Sequence, residues 1–460
     1  MFTWVCQHWR RVALSFPPFW TYIHDHHGLP NQAWIPIFLE RTAKAPIDVN
    51  VHLSCHPEIT IQALLPHARQ IRSLRLELHS RRAIITAFKS FQVLPSLQQL
   101  QMVLRIADGS APPVLDNWWS LDVNRQDVPR LREIFHNGIQ FPWTSPCYHS
   151  LTTFAIANAP LRLTLNELLW ILHACPDLEV LRIGGGAMRA DDLSLHSDLN
   201  AVSLPRLRTF HIYEHLPVVT AVCNKLCGTS RCWVEISTAP IQVVPCTDTV
   251  IAAAPTHTLF RSLIPNIDVF LLTIYEDLTR FGGMGYVDYD QHIAIFLNRG
   301  DPLESLVTPG VWDAILSAFS TAPLRQAFIS YTAIEEITMP MWHSFYTRFP
   351  RIEKLEVDRT TFVEYSGDEY FWAFLLSLDP IPADGNANPP LLVPLLRCIE
   401  MRYVYIDNIT ASRITDALEA RRDAGLPLEE LVLTECYCAP EISAETLKLH
   451  LQAYISLRIL

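Results

Sequence analysis

Apolar residues recur along most of the chain in one pattern, two apolar positions separated by two residues and a third one residue further on. The copies read Ile71-x-x-Leu74-x-Leu76, Leu97-x-x-Leu100-x-Met102, Leu151-x-x-Phe154-x-Ile156, Leu178-x-x-Leu181-x-Ile183 and Leu207-x-x-Phe210-x-Ile212. Later copies are Ile352-x-x-Leu355-x-Val357, Leu396-x-x-Ile399-x-Met401 and Leu428-x-x-Leu431-x-Leu433, and a weaker one, Leu131-x-x-Ile134, has His136 in its third slot. A proline stands two places before the first anchor at Pro95, Pro129, Pro176, Pro205, Pro350 and Pro394. Alternation of period two predicts a short strand with its apolar side chains facing inward, and the proline marks the turn that feeds it. A helix precedes the strand most clearly at TLNELLWILHA, where Leu165, Leu168, Leu169 and Leu172 make one stripe and Cys175-Pro176 ends it. One such unit cannot bury its apolar face alone, so the units must stack. The anchors fall roughly 20 to 44 residues apart, which makes the stack irregular.

Residues 213–323 break the rhythm. They hold short apolar runs at Ile241–Val244 and Ile293–Leu297, the turn-like Gly282-Gly283-Met284-Gly285, a helix near Val311–Phe319 and a strand at Ala327–Tyr331. Two readings fit this stretch, divergent repeats with insertions and a separate inserted domain.

The chain opens differently. In FTWVCQHWRRVALSFPPFW, Thr3 is a candidate cap and Val5, Cys6, Trp9, Val12, Ala13 and Phe16 fall on one helical stripe, opposite Gln7, His8, Arg10 and Arg11. Pro17-Pro18 stops the helix, and Phe19 and Trp20 follow as bulky anchors. A second helical stripe is Trp34, Ile37, Phe38 and Arg41, with Pro36 tolerable only in its first turn. Ile47, Val49, Val51 and Leu53 then alternate with Asp48, Asn50 and His52 as a half-buried strand.

VCQHWRRVALSFPPFWTYI resembles the C-terminal half of an F-box, and WIPIFLERTAKAPIDV resembles the segment behind the F-box in many fungal (basidiomycete-type) F-box proteins. The L-P-x-E block and first helix of an F-box are not found ahead of it, so the resemblance implies an F-box truncated at its N-terminal side. The recurring motif is similar to the leucine-rich-repeat-like region of the same proteins. The resemblance implies an α/β chain, a short partial F-box helical segment followed by an irregular leucine-rich-repeat-like solenoid with a parallel sheet. Residues 1–25 would be the partial F-box, 26–53 a linking helix and first strand, and 54–460 the solenoid, irregular or inserted at about 213–323. It further implies a substrate-receptor subunit of a Skp–cullin–F-box ubiquitin ligase, with Val5, Cys6, Trp9, Val12, Ala13 and Trp20 toward a Skp-type adaptor and the repeats holding an unknown protein substrate. The alternative is a non-catalytic repeat scaffold that no longer binds the adaptor.

Composition narrows the chemistry. Hydrophobic residues make up 49% and charged residues 18%, a folded rather than a disordered chain. A net charge of −11 gives no global footprint for nucleic acid, and no apolar run reaches the length of a membrane span. Eleven cysteines are scattered without a CxxC pair, which points to buried free thiols in a reducing compartment, cytoplasmic or nuclear. The sequence lacks GxxxxGK[ST], GxSxG and HExxH, and His24-Asp25-His26-His27 has adjacent side chains that cannot all converge on one ion. The expectation is a protein without enzymatic activity, cofactor or metal. What remains is surface. The residues between the inward ones point outward, namely Ser73 and Arg75, Gln99 and Gln101, Val180 and Arg182, and Thr209 and His211 in the early copies. The late copies add Lys354 and Glu356, Cys398 and Glu400, and Glu430 and Val432. Arg75, Gln101, Arg182, His211, Glu356 and Glu400 are the candidate substrate contacts, basic or neutral early and acidic late.

Overall fold

In the computed structural model, every copy of the motif ends in a short strand. The structure describes residues 6–24, 34–53, 57–78, 90–91, 93–104, 125–189, 200–227, 232–238, 269–275, 278–284, 292–298, 309–330, 337–358, 374, 377–378, 393–439, 444–452 and 455–459. The chain divides into two compact units, Met1–Glu214 with Lys225–Cys227, and His215–Asn224 with Gly228–Leu460. Both are mixed α/β with extended parallel sheets.

The first unit contains β1 (Tyr22–His24), β2 (Ile47–Leu53), β3 (Ile71–Leu78), β4 (Gln99–Leu104), β5 (Glu133–Asn137), β6 (Thr153–Ala157), β7 (Val180–Gly184), β8 (Val202–Ser203), β9 (Thr209–Glu214) and β10 (Leu226–Cys227). β1 to β7 and then β9 pair side by side, all parallel, while β8 pairs with β10 separately. Register explains the motif. Ile23, Val49, Leu74, Leu100, Ile134, Phe154, Leu181 and Phe210 form one inward row, each no more than 1% exposed. Val51, Leu76, Met102, His136, Ile156, Ile183 and Ile212 form the next and are also buried. Each buried aliphatic or aromatic side chain contributes about 1.5–3 kcal/mol relative to exposure, which is what a stack of short strands has to set against chain entropy.

The proline has a specific task. The N–H of each first anchor donates to the carbonyl three residues back: Leu97 to Leu94, Leu131 to Val128, Leu178 to Cys175, Leu207 to Leu204, Ile352 to Phe349 and Leu396 to Val393. Pro therefore sits at the second position of a four-residue turn, where its fixed φ fits. The strand start is then locked twice. The Thr152 carbonyl accepts from Glu179 (2.8 Å) and Val180 (3.0 Å), and the Glu179 carbonyl from Arg208 (2.8 Å) and Thr209 (3.0 Å). In the second unit the Arg325 carbonyl takes Glu353 and Lys354, the Glu353 carbonyl takes Arg397 and Cys398, and the Arg397 carbonyl takes Glu429 and Glu430. Strand ends repeat as well. A left-handed residue follows directly at Gly138, Asn158, Gly185, Tyr403 and Glu435. At Gly185, φ 68°, a Cβ would come within 2.4 Å of Asn158 Oδ1 and 2.9 Å of the Asn158 backbone nitrogen, so a side chain there would force a shift as well as strain.

The helix predicted at 164–174 spans Leu165–His173, with a capping box in which Thr164 Oγ1 accepts from Glu167 N and Glu167 Oε2 accepts from Thr164 N. The helices at Gln7–Ser15 and Trp34–Arg41 are also formed, and Pro36 lies in the first turn of the latter.

The second unit contains β11 (Trp233–Thr238), β12 (Val269–Tyr275), β13 (Leu278–Met284), β14 (His292–Asn298), β15 (Gln326–Ser330), β16 (Lys354–Asp358), β17 (Cys398–Arg402), β18 (Tyr405–Ile406), β19 (Glu430–Thr434), β20 (Tyr437–Cys438) and β21 (Ser456–Ile459). β15, β16, β17, β19 and β21 continue in parallel register, and β12 joins β15 in parallel. β12, β13 and β14 are antiparallel neighbours, with β11 parallel to β14. This corrects one reading of the sequence: Gly282, Gly283 and Met284 are not a turn but the end of β13, paired with Leu271, Phe270 and Val269. The run Ile241–Val244 lies outside the described residues. Helices Pro309–Ala318 and Met339–Arg348 precede β15 and β16 and pack through aromatics, with Trp312 Nε1 donating to Met341 O (2.7 Å) and the Trp312 and Phe345 rings 5.9 Å apart.

Candidate functional site

Strand pairing lines up the outward residues as it does the inward ones. In the first unit one outward row runs Asn50, Arg75, Gln101, Phe135, Ala155, Arg182 and His211. Arg75, Gln101 and His211 are half-buried, Arg182 is exposed and Ala155 is buried. Arg75 is not a bare cation, because Glu77 Oε2 lies 3.6 Å from its Nη2. The small residues Thr153, Ala155 and Ala157 leave the middle of this face low.

The second unit is more charged and more balanced than its sequence suggests. Lys354 Nζ lies 2.6 Å from Glu400 Oε2 and 3.5 Å from Glu356 Oε2. Arg402 Nη2 lies 2.7 Å from Glu400 Oε1 and 3.1 Å from Glu356 Oε1. Arg458 Nε lies 2.6 Å from Glu430 Oε1. The late face is thus an ion network and not a plain acidic surface. The missed members, Arg402 and Arg458, sit at outward register positions that the three-residue motif does not reach. Glu400 is only 8% exposed, and Val432, expected outward, is 7% exposed. Burial would raise the Glu400 carboxyl, but hydrogen bonds from Lys354 and Arg402 outweigh it and hold the group below its ordinary value. Glu356 goes the other way, raised by burial and by the neighbouring Glu400 charge. Asp358, at the end of β16, is raised by burial, with Glu400 and Glu435 adding to the rise and Arg402 opposing it. Burial also raises the Cys398 thiol.

The opening helix divides the expected adaptor contacts. Val5 lies outside the described residues, Trp9 lies within the helix Gln7–Ser15, Cys6 is exposed and Val12 is half-buried. Ala13 and Trp20 are 5% and 8% exposed. The indole Nε1 of Trp20 donates to Ala13 O (2.7 Å), its ring meets Phe38 edge-on at 4.9 Å, and the Arg41 guanidinium lies 4.4 Å above it. Trp20 therefore pins the first helix to the second. The outward apolar residues here are Leu14, Phe16, Phe19, Tyr22 and Ile37, at 37%, 48%, 55%, 57% and 43% exposure. Phe16 belongs to the first stripe read from the sequence and Ile37 to the second, whereas Leu14 and Tyr22 belong to neither; the phenylalanines flank Pro17-Pro18, and that bracketing was the available signal.

Among the described residues no three His, Cys, Asp or Glu side chains are placed to hold a metal. His24 stacks on Tyr22 at 5.8 Å, and Asp25, His26 and His27 lie outside the described residues. Burial pushes the Cys175 thiol up to about 11 and the Cys223 thiol up to about 12. His136, fully buried between the edges of Phe141 (5.0 Å) and Tyr148 (6.1 Å), has no hydrogen-bond partner on either ring nitrogen, and burial lowers its pKa to about 3. No described helix is long and apolar enough to cross a membrane. No protein-family model and no curated protein matches the chain.

Proposed function

We propose that this chain is a protein-binding repeat module acting as the substrate receptor of a Skp–cullin–F-box type ubiquitin ligase. The observation that carries the binding half is the set of outward rows, in register over successive parallel strands and largely half-exposed. Identical turn and strand-start hydrogen bonds from copy to copy support reading the strands as an irregular leucine-rich-repeat-like solenoid, an architecture that offers long surfaces for partners. The resemblance of residues 2–53 to an F-box and its following segment supports the ligase half. Phe16 and Phe19, exposed beside the first helix, are then the adaptor-facing anchors, together with Cys6 and Val12. Such a receptor works by proximity, raising the concentration of a bound target beside the ligase, and its own side chains carry out no chemical step.

One observation favours the alternative, a scaffold without adaptor binding. Two of the expected contacts, Ala13 and Trp20, are already used in packing within the chain. Co-expression with a Skp-type adaptor separates the two readings. The receptor reading expects the adaptor to co-purify in equal amount, and the double substitution Phe16→Ser/Phe19→Ser to abolish this while leaving the circular dichroism unchanged. A full chain that captures no adaptor sinks the receptor and leaves the scaffold.

A further inference from the structure

The ion network of the second unit does not use all of its carboxylates. The outward positions of β16, β17, β19 and β21, with the residue after β19, carry Glu356, Asp358, Glu400, Glu430 and Glu435 against Lys354, Arg402 and Arg458, so acids outnumber bases. The three cations are taken by Glu356, Glu400 and Glu430. Asp358 and Glu435, at the carboxyl end of the strands, form no ion pair within 4 Å among the described residues, although Arg402 is near enough to favour the Asp358 charge. Asp358 Oδ1 is buried without a hydrogen-bond partner, and Asp358 pairs in register with Arg402, which pairs in turn with Thr434, the residue before Glu435. Beside them the chain sets out aromatic surface. The Tyr403 N–H donates to Thr434 O (3.1 Å), which sets Tyr403 beside Glu435 in the chain turn that follows the strands. Tyr405 and Tyr437 face each other in register across β18 and β20 and are 46% and 47% exposed, with Ile409 at 61% nearby in sequence.

We propose that this edge, formed by Asp358, Glu435, Tyr403, Tyr405 and Tyr437, docks an arginine-bearing segment of the protein partner. The argument is charge complementarity joined to shape of contact. Two carboxylates that form no ion pair within 4 Å among the described residues, on a face where acids outnumber bases, supply the counter-charge for a guanidinium, whose fixed fork suits carboxylates. Tyrosine faces attract a cation and give a flat guanidinium a surface to stack on, a combination that supplies binding hot spots. Lysine would gain the charge but not the stacking. This inference deepens the reading of the strand face as a protein-binding surface and rests on it.

The test uses the full chain and fluorescein-labelled peptides of alternating glycine with arginine, lysine or glutamate, read by anisotropy. The arginine peptide is expected to bind several-fold tighter than the lysine peptide, and the glutamate peptide not at all. Asp358→Asn/Glu435→Gln should weaken the arginine peptide at least tenfold. Tyr405→Ala/Tyr437→Ala, which changes no charge, should weaken it several-fold and erase the preference over lysine. Asp416→Asn/Glu445→Gln removes the same charge from exposed helix positions of the same unit and should leave binding unchanged. The inference is overturned if the edge variants bind like wild type, or if the helix variant loses as much, which would reduce the effect to the −11 net charge of the chain. A chain that captures the adaptor but not the arginine peptide loses this inference alone. One that binds the peptide and not the adaptor keeps it and loses the receptor.

Discussion

The two units build the same backbone device and dress it differently. In both, a Pro turn delivers an anchor, two N–H groups share one carbonyl, and a short strand follows with two inward side chains. In the first unit the glycine or asparagine that closes a strand adopts its left-handed backbone at low cost, at Gly138, Asn158 and Gly185. In the second, Tyr403 and Glu435 occupy that place, at φ 56° and 50°. The outward face follows suit, with low neutral residues such as Ala155 in one and the Lys354–Glu356–Glu400–Arg402 network in the other. The inward device sets the fold, and the outward positions are free to differ. The inward side has its own anomaly, His136, where the second unit has the apolar Val357, Met401 and Leu433.

The comparison can be broken hardest at the shared device. Phe154 is fully buried in the middle of its row, and Phe154→Ala should cost about 3–5 kcal/mol, seen as a lower midpoint in urea. A loss under 1 kcal/mol, the size expected of a surface site, would show that the rows are not the core. The next effect sharpens the difference at His136. Its folded pKa of about 3 lies below the unfolded value near 6.5, so the stability of the neutral form is complete above that value and falls away as pH drops through the window. Between pH 7 and pH 5 the loss is about 2 kcal/mol at 1.36 kcal/mol per unit. His136→Leu, which restores the apolar slot, should remove this part of the acid dependence, measured as chemical stability at both pH values. Identical pH dependence in the two proteins would rule it out. The smallest effect lies on the outward face. Arg458→Ala breaks one exposed pair with Glu430 and should cost under about 1 kcal/mol, vanishing in 1 M salt. An unscreened loss of several kcal/mol would make the network part of the core and erase the contrast.

The inward rows were legible because a strand buried on one face must repeat its apolar residues with period two, and because Pro before Leu97, Leu178 and Ile352 marked where each strand begins. β13 was not, since Gly282-Gly283 reads locally as a turn and only pairing with Phe270 and Leu271 makes it a strand. The outward face was half legible. Alternation placed Glu356 and Glu400 correctly on the strands, but their neutralisation depends on Arg402, beyond the motif, and on Lys354, 46 residues from Glu400 in the chain. Trp20 shows the same limit. Its aromatic character was plain, yet its burial depends on Phe38 and Arg41 arriving from the next helix.

The shared carbonyl at each strand start has a consequence for how such a chain changes over time. Because Val180 and Thr209 are positioned by hydrogen bonds to the preceding copy and not by the length of chain between them, the sheet is indifferent to what loops out behind it. Segments can be gained or lost between one anchor and the next without sliding any strand against its neighbour. Uneven anchor intervals are what such an arrangement allows, since each strand keeps its place whatever the length of chain before it.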